Sequence, residues 1–414
     1  MDLFFILLVL LVATRSFGEV AERLGQPGLV GELIAGIVLG TVAAQYTDLL
    51  PHIAGLDESP VFDSITDLGM FFIMLFAGVE LQPHQLMRYS RGAFAVALSG
   101  MVLPMALGIG LGWIFLPESD SLLAQSIFLG TALAITAVPA TVRILIDLGK
   151  LDSPSGQIIV SAAVFDDVLS LVLLAGLTGI IQAGEGGDFQ LLPLAFNVLA
   201  FFVVTTVIGV FVFPFAGRLL HGIKQKELEF SALLVAALAF SVLAELLDLH
   251  FIVGAFMAGL FFGRKTIDAP AYDDVRNKVS AMTFGFLAPI FFASVGLNMD
   301  FSAVLAVPAF VLCLLLAAFI GKFIGAGVAA RCIGLSRQES AAVGVGMSAR
   351  GAVELVIADI ALEAGLFDVG MEATPVITHM FSAVVIMAVI TTLVTPVLLK
   401  RIYAGGSPRP VADE

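Results

Sequence analysis

Charge is scarce in this chain. Asp, Glu, Lys and Arg together make up 13% of its 414 residues, about half the share of an ordinary soluble domain. That shortage argues against a water-soluble fold, and no polar stretch is long enough to form a separate soluble domain. Cysteine is limited to Cys313 and Cys332, whose spacing fits neither a zinc site nor a redox pair. The five histidines, His52, His84, His221, His250 and His379, are scattered and mostly near the ends of apolar runs, so none is expected to hold a metal. There is no phosphate loop of the form GxxxxGK followed by Ser or Thr, and no GxGxxG inside a strand–helix–strand unit. Those absences argue against an ATP-driven pump on this chain, and neither enzymatic chemistry, a cofactor nor a nucleic-acid partner is expected. Residues Met1 to Ala13 lack a basic leader and a small-residue cleavage site, so they read as a first membrane helix and not as a removable signal.

Apolar residues are abundant instead, at 59% of the chain, with a mean hydropathy of +1.05. A helix needs about 20 mostly apolar residues to cross a bilayer. Thirteen apolar segments can be drawn, at about 2–20, 28–43, 60–80, 92–115, 121–145, 152–181, 191–216, 228–246, 250–263, 279–298, 303–330, 338–362 and 375–399. The expected fold class is therefore an all-α polytopic membrane protein of about 13 transmembrane helices. All but two of the 20 Lys and Arg residues fall after odd-numbered segments or in the C-terminal tail, among them Arg15, Arg88, Lys150, Lys224, Lys265 and Arg331. The opposite connections carry Asp48, Glu58, Glu118, Glu185 and Glu372 without a single Lys or Arg. Because basic loops stay cytoplasmic, the N-terminus is expected outside and the C-terminus inside.

The sequence also repeats itself. The second segment reads Val30-Gly31-x-x-x-Ala35-Gly36-x-x-x-Gly40, and the ninth reads Val253-Gly254-x-x-x-Ala258-Gly259-x-x-x-Gly263. Gly78-Val79-Glu80-Leu81 is echoed by Gly296-Leu297-Asn298-Met299. The seven segments between the first pair place the copies in opposite orientations, the inverted-topology arrangement of secondary transporters. The fifth and twelfth segments then correspond, and both carry helix-breaking residues at mid-depth, Pro139 in one and Gly344, Gly346 and Gly351 in the other. Two discontinuous helices in matching positions point to a transporter's binding site. A simple proline kink is the competing reading of the fifth.

Asp166-Asp167 lies midway along the sixth segment. Carboxylates at that depth are costly and ordinarily handle ions or protons. Adjacent helical positions point about 100° apart, so the two border one cavity in different roles, one open to the ion and the other held by a cation. A buried carboxylate able to take either H⁺ or Na⁺, but not both, is itself an exchange device. The two basic residues left over, Lys322 and Arg350, fall inside segments and are the natural counter-charges. Lys322 stands nine residues before Arg331, roughly 13 Å from the cytoplasmic end, which leaves snorkelling as its alternative. Arg350 is expected to lock structure by pairing with Glu80 or Glu354. Thr136 offers a hydroxyl at the break of the fifth segment, as ion ligand or as ordinary packing. Glu32 in the second segment is structural or faces a cavity.

Six stretches carry a family resemblance. They are Gly31-Glu32-Leu33-Ile34-Ala35-Gly36, Phe76-Ala77-Gly78-Val79-Glu80-Leu81, Phe165-Asp166-Asp167, Val253-Gly254-Ala255-Phe256-Met257-Ala258-Gly259, Pro289-Ile290-Phe291-Phe292-Ala293-Ser294-Val295-Gly296-Leu297 and Gly346-Met347-Ser348-Ala349-Arg350-Gly351. In this order, over essentially the whole chain, they resemble the monovalent cation:proton antiporters, in the bacterial branch that includes the Kef-type systems. The resemblance implies two crossed, unwound helices in a core domain (about 92–181 and 303–399), a dimerisation or scaffold domain (about 1–80 and 228–298) and a linker helix (about 191–216). It implies a homodimer in a bacterial cytoplasmic membrane and an elevator-like motion. Kef systems usually carry a cytoplasmic nucleotide-binding domain; here the sequence departs from them, and no soluble regulatory domain is expected. The resemblance also implies that Asp167 carries Na⁺ or Li⁺ in exchange for H⁺, that Asp166 pairs with Lys322, and that Thr136 is the polar residue of the crossing. The Asp-Asp pair resembles the electrogenic members. K⁺/H⁺ exchange or Kef-like K⁺ efflux is the alternative, and a sodium-coupled organic-anion symporter is a more remote one. Where many relatives have Ser-Pro-Arg-Gly-Glu, this chain has Ser348-Ala349-Arg350-Gly351-Ala352, which leaves Glu354 as the carboxylate available nearby.

Overall fold

The computed structural model describes residues 2–45, 60–80, 90–119, 121–136, 141, 145, 150, 151, 153–183, 191–215, 227–247, 249–263, 269–367 and 374–404. Among these residues every regular element is a helix and no strand occurs. Among the described residues nine helices are long and apolar enough to cross a membrane, and the shorter apolar helices Gly28–Ala43, Leu122–Ala134 and Phe251–Phe261 fall in the second, fifth and ninth segments. The chain divides into two compact units, Met1–Gln85 with Leu171–Asp300, and Leu86–Ser170 with Phe301–Glu414.

The first unit begins with α1 (Asp2–Arg23), α2 (Gly28–Gln45) and α3 (Pro60–Glu80). α1 stops where Gly25, at φ +74°, lets Gln26 N–H return to the Ala21 carbonyl at 2.9 Å, a left-handed turn that favours glycine. In the second unit follow α4 (Ser90–Phe115) and α5 (Leu122–Ala134). α6 (Pro154–Ala183) contributes its first part to that unit and its last part to the first. The first unit is completed by α7 (Leu191–Val207, continued by a π-helical turn to Val212), α8 (Leu228–Leu246), α9 (Phe251–Phe261), α10 (Ala269–Met282) and α11 (Ala288–Leu297).

The tenth segment thus starts ten residues earlier than hydropathy suggests, at Ala269 against the expected 279. Its polar first turns are held by ion pairs: Lys278 Nζ reaches Asp274 at 2.9 Å and Glu227 at 2.7 Å, and Arg276 reaches Glu80 at 2.7 Å. A π-helical turn, Thr283–Leu287, joins α10 to α11. Arg15 donates to the Phe284 carbonyl of that turn.

The repeat becomes a pair of reciprocal contacts in this unit. α2 packs on α11, and α9 packs on α3. A Cβ at Gly36 would lie 2.2 Å from the Ala293 carbonyl oxygen, and one at Gly296 would lie 2.3 Å from that of Leu33. The equivalent residues of the other pair repeat this, with Gly259 against the Leu75 carbonyl at 2.4 Å and Gly78 against that of Phe256 at 2.2 Å. Each copy therefore completes its packing on the other copy. Small residues let backbones approach this closely without water to drive them together. Even a methyl group has no room here, and overpacking a rigid site costs about 1–3 kcal/mol. Gly36→Ala and Gly259→Ala should lower the thermal midpoint in detergent by similar amounts. Gly176→Ala, where nothing lies within 4 Å, should not lower it. Equal midpoints in all three would remove the close-contact explanation.

The second unit also contains α12 (Pro308–Cys332), α13 (Arg337–Gly346), α14 (Ala352–Glu363) and α15 (Met380–Ala404). Its core joins Ala93, Val96 and Ala97 of α4, Ile158, Ile159 and Ala162 of α6, Ala326 and Ala330 of α12, and Val343 and Met347 at the end of α13. Ser99 donates to the Gly325 carbonyl at 3.0 Å, fixing α4 on α12. The start of α13 is set by a capping box, with Ser336 and Glu339 bonding each other's backbone N–H. α5 stops at Ala134, with Ile135 already extended; Pro139 lies outside the described residues. The twelfth segment is two helices, α13 and α14, separated by Met347–Gly351.

Candidate ion site

The site is assembled from the ends of broken helices in the second unit. When α5 stops at Ala134, its last carbonyls lose the helical donors that would have satisfied them. Arg350, in the gap between α13 and α14, takes that role: Nη1 donates to the Ala132 carbonyl at 2.5 Å and Nη2 to the Leu133 carbonyl at 2.8 Å. Thr141 Oγ1 donates to the Gly346 carbonyl at 2.7 Å, and Thr392 Oγ1 to the Arg350 carbonyl at 2.5 Å. The two interruptions are thus bonded to each other in both directions, through side chains of each reaching main-chain atoms of the other.

Beside this knot, α12 presents Lys322. Its side chain and that of Asp166 are both fully buried, so the snorkelling alternative for Lys322 is ruled out. Nζ donates to Thr136 Oγ1 at 2.6 Å and approaches Asp166 Oδ1 at 3.3 Å. Thr136, two residues beyond the end of α5, is 1% exposed. An ammonium has three donors, and these two contacts tie α12 to the end of α5 and to the middle of α6. Asp166 Oδ2 has no hydrogen-bond partner among the described residues. Asp167 is part of the α6 helix, but its side chain lies outside the described residues.

Arg350 and Glu354 form an i,i+4 pair at 3.5 Å with both side chains fully buried. Glu354 Oε2 and Arg350 Nε have no partner among the described residues. Lys322, Asp166, Arg350 and Glu354 are two cations and two carboxylates in one unit, all removed from solvent. Unpaired charge in such a place is strongly destabilising, so the near balance is a condition for burying any of them. Among the described residues no group of three or more His, Cys, Asp or Glu side chains gathers as a metal centre. In the group of Lys322, Asp166, Arg350 and Glu354, the oxygens left without a hydrogen-bond partner among the described residues are carboxylate ones, Asp166 Oδ2 and Glu354 Oε2, a ligand type that suits a hard ion.

The family profile described as sodium/hydrogen exchanger, transmembrane, matches residues 6–404. The chain belongs to the sodium/hydrogen exchanger family. It is a multi-pass membrane protein of the monovalent cation:proton antiporters. It is 32% identical to the Na⁺/H⁺-K⁺ antiporter GerN of Bacillus cereus, over 98% of this chain and 97% of the relative. It is 29% identical to a Na⁺/H⁺ antiporter of Enterococcus hirae, over 98% of this chain and all of the relative. Its fold is that of the sodium proton antiporter MjNhaP1 of Methanocaldococcus jannaschii, with a TM-score of 0.74 at 18% identity over 98% of both chains.

In this exchanger Glu80 is engaged by Arg276. It ends α3 in the first unit, half-exposed, and accepts two bonds from Arg276, at 2.9 Å from Nε and 2.7 Å from Nη2. Glu354, one turn from Arg350 on the following helix, is the carboxylate that reaches it. Glu32 is also in the first unit, 3.6 Å from Arg15 in a cavity that Glu19 and Glu22 help to line. Thr141 and Thr392 escaped notice in the sequence because a hydroxyl in an apolar helix usually bonds its own backbone. The only signal was that Thr141 follows a proline by two residues.

Proposed function

We propose that the protein is an electrogenic Na⁺(Li⁺)/H⁺ antiporter, expelling cytoplasmic sodium and taking up more than one proton per cycle. Asp167 is the ion and proton carrier, and Asp166 is held by Lys322. The observation that carries this reading is the buried Lys322 ammonium lodged between Thr136 and Asp166. With one carboxylate of the pair engaged by an ammonium, the other is left for exchange, where a proton and a sodium ion compete. An ammonium kept from water releases its proton readily when its surroundings change, which supplies the extra proton. In this reading the core domain, about 92–181 and 303–399, carries the site in an elevator-like motion. The scaffold, about 1–80 and 228–298, with the linker helix 191–216, stays in the membrane and forms a homodimer. The division of the chain into two compact units supports this. The alternation of basic and acidic connections supports a cytoplasmic C-terminus in a bacterial inner membrane.

K⁺ is the second reading for the cation, favoured by the name of the Bacillus cereus relative. Proteoliposomes with an imposed pH gradient and an internal pH dye separate the two. Na⁺ and Li⁺ should dequench the dye, with a rate that changes when the membrane potential is clamped. A response to K⁺ alone moves the assignment to K⁺/H⁺ exchange, and silence to all three cations refutes antiport.

A further inference from the structure

α6 carries a polar group that the proposed cycle does not use. Ser170 is 2% exposed, and its Oγ has no hydrogen-bond partner among the described residues. A serine or threonine in an apolar helix ordinarily bonds the carbonyl four residues back. This chain does so repeatedly: Thr14 to Leu10 at 2.7 Å, Thr205 to Phe201 at 2.7 Å, Ser348 to Gly344 at 2.8 Å and Thr395 to Thr391 at 2.8 Å. Ser170 keeps its hydroxyl off the Asp166 carbonyl. It is buried, polar and free of the local bond that would satisfy it.

Its place on the helix gives the reason. Residues four apart share a face, so Ser170 stands one turn beyond Asp166 on the same side. Around the axis, position 170 falls about 40° from position 166 and about 60° from position 167, between the two. Asp166 Oδ1 is taken by Lys322, while Oδ2 and Ser170 Oγ are both buried and both unpartnered. Two buried oxygens on successive turns of one helix face, neither engaged by a hydrogen bond among the described residues, keep lone pairs open, and a serine hydroxyl can turn its proton away to present them. Lone pairs of this kind are what a cation takes up.

We infer that Ser170 is a ligand of the transported cation, contributing a neutral oxygen to a Na⁺ or Li⁺ held at the carboxylate pair. The inference rests on the reading of Asp166-Asp167 as the ion site. Its chemistry differs from that of the carboxylates in one respect that can be measured. A proton competes with the cation for a carboxylate and not for a serine hydroxyl, which is already protonated. Removing Ser170 therefore weakens the cation side of the competition and leaves the proton side as it was.

The test is Ser170→Ala in proteoliposomes, with thermal stabilisation of the purified protein by Na⁺ or Li⁺ against choline as an independent binding readout. The half-saturating Na⁺ concentration should rise about tenfold, the loss of one charge-assisted contact, with the effect falling on that concentration and not on the maximal rate. At a fixed subsaturating Na⁺ concentration the activity profile should move to higher pH, because protons now compete more effectively, and raising Na⁺ should restore it. Without cation, Ser170→Ala should melt no lower than wild type, since an unpartnered buried hydroxyl carries a desolvation cost that alanine avoids. Equal half-saturation and equal cation stabilisation in the two proteins would overturn the assignment. So would a lower maximal rate and cation-free melting point with unchanged half-saturation, which would mark Ser170 as a packing residue. If wild type moves no protons yet is stabilised by Na⁺, and Ser170→Ala loses that stabilisation, Ser170 stands and the antiport reading falls.

Discussion

Asp167→Asn should leave a folded protein that moves no protons in response to Na⁺, Li⁺ or K⁺ at any pH. The amide matches the carboxylate in shape but neither titrates nor carries charge, so both competitors lose their site at once. Truncating one member of a buried, desolvated charge contact costs about 2–5 kcal/mol, which at its upper end is more than a thousandfold in affinity. Removing a carboxylate from the middle of an apolar segment also removes the cost of placing a charge in such a sequence, so the purified variant should melt at or above the wild-type temperature in cation-free buffer. Na⁺ should no longer raise that temperature. Normal exchange by Asp167→Asn would take the carrier role away from Asp167. Loss of exchange together with loss of folding would show that the residue is structural. The matched measurement is dye dequenching beside a cation-dependent melt on one preparation.

Arg350→Ala should be the most destabilising single substitution in the second unit. The guanidinium is 1% exposed and bridges the Ala132 and Leu133 carbonyls to Glu354. Its loss leaves two carbonyls without donors and Glu354 as an uncompensated buried charge. Breaking a buried pair in this way costs about 3–5 kcal/mol, which corresponds to a fall in melting temperature of roughly 10 °C. Arg350→Lys keeps the charge but cannot span two carbonyls and a carboxylate from one planar fork, so it should recover only part of the loss. Glu354→Gln should cost less than Arg350→Ala, because Arg350 keeps its carbonyl acceptors. A melting temperature for Arg350→Ala within a degree or two of wild type, by scanning fluorimetry in detergent, would show that the two helix breaks hold together without it.

Much of the fold could be read before any coordinates because hydropathy reports what lipid demands. α3, α8 and α9 lie within a residue or two of the segments drawn from composition alone. Hydropathy is blind to helix built from charged residues, so α10 was cut short at the point where Arg276 and Lys278 stand, although their ion pairs hold its first turns. The repeat was visible as glycine spacing. Its meaning was not, because a close backbone approach involves a carbonyl of another helix, and the sequence does not say which one. The same limit affected Arg350. Two of its acceptors are main-chain oxygens at the end of α5, which no residue type announces. Glu80 and Glu354 were equal candidates by chemistry, and the sequence does not say that Arg276 engages the first while Arg350 lies 3.5 Å from the second. Lys322 was legible as a lone ammonium inside an apolar run, to be held by a buried partner or by the cytoplasmic interface, and its full burial decides for the partner.

The reciprocal glycine contacts have a consequence for biosynthesis. The Gly36 face of α2 meets its carbonyl partner on α11, and the Gly78 face of α3 meets its own on α9. A ribosome delivering the chain in order must therefore insert α2 and α3 into the bilayer well before either face has anything to close on. The first copy waits half-assembled until the second emerges, and the second cannot close without the first. Chains truncated before α11 would leave a groove lined by bare glycine backbone open to lipid, where quality-control proteases could recognise them.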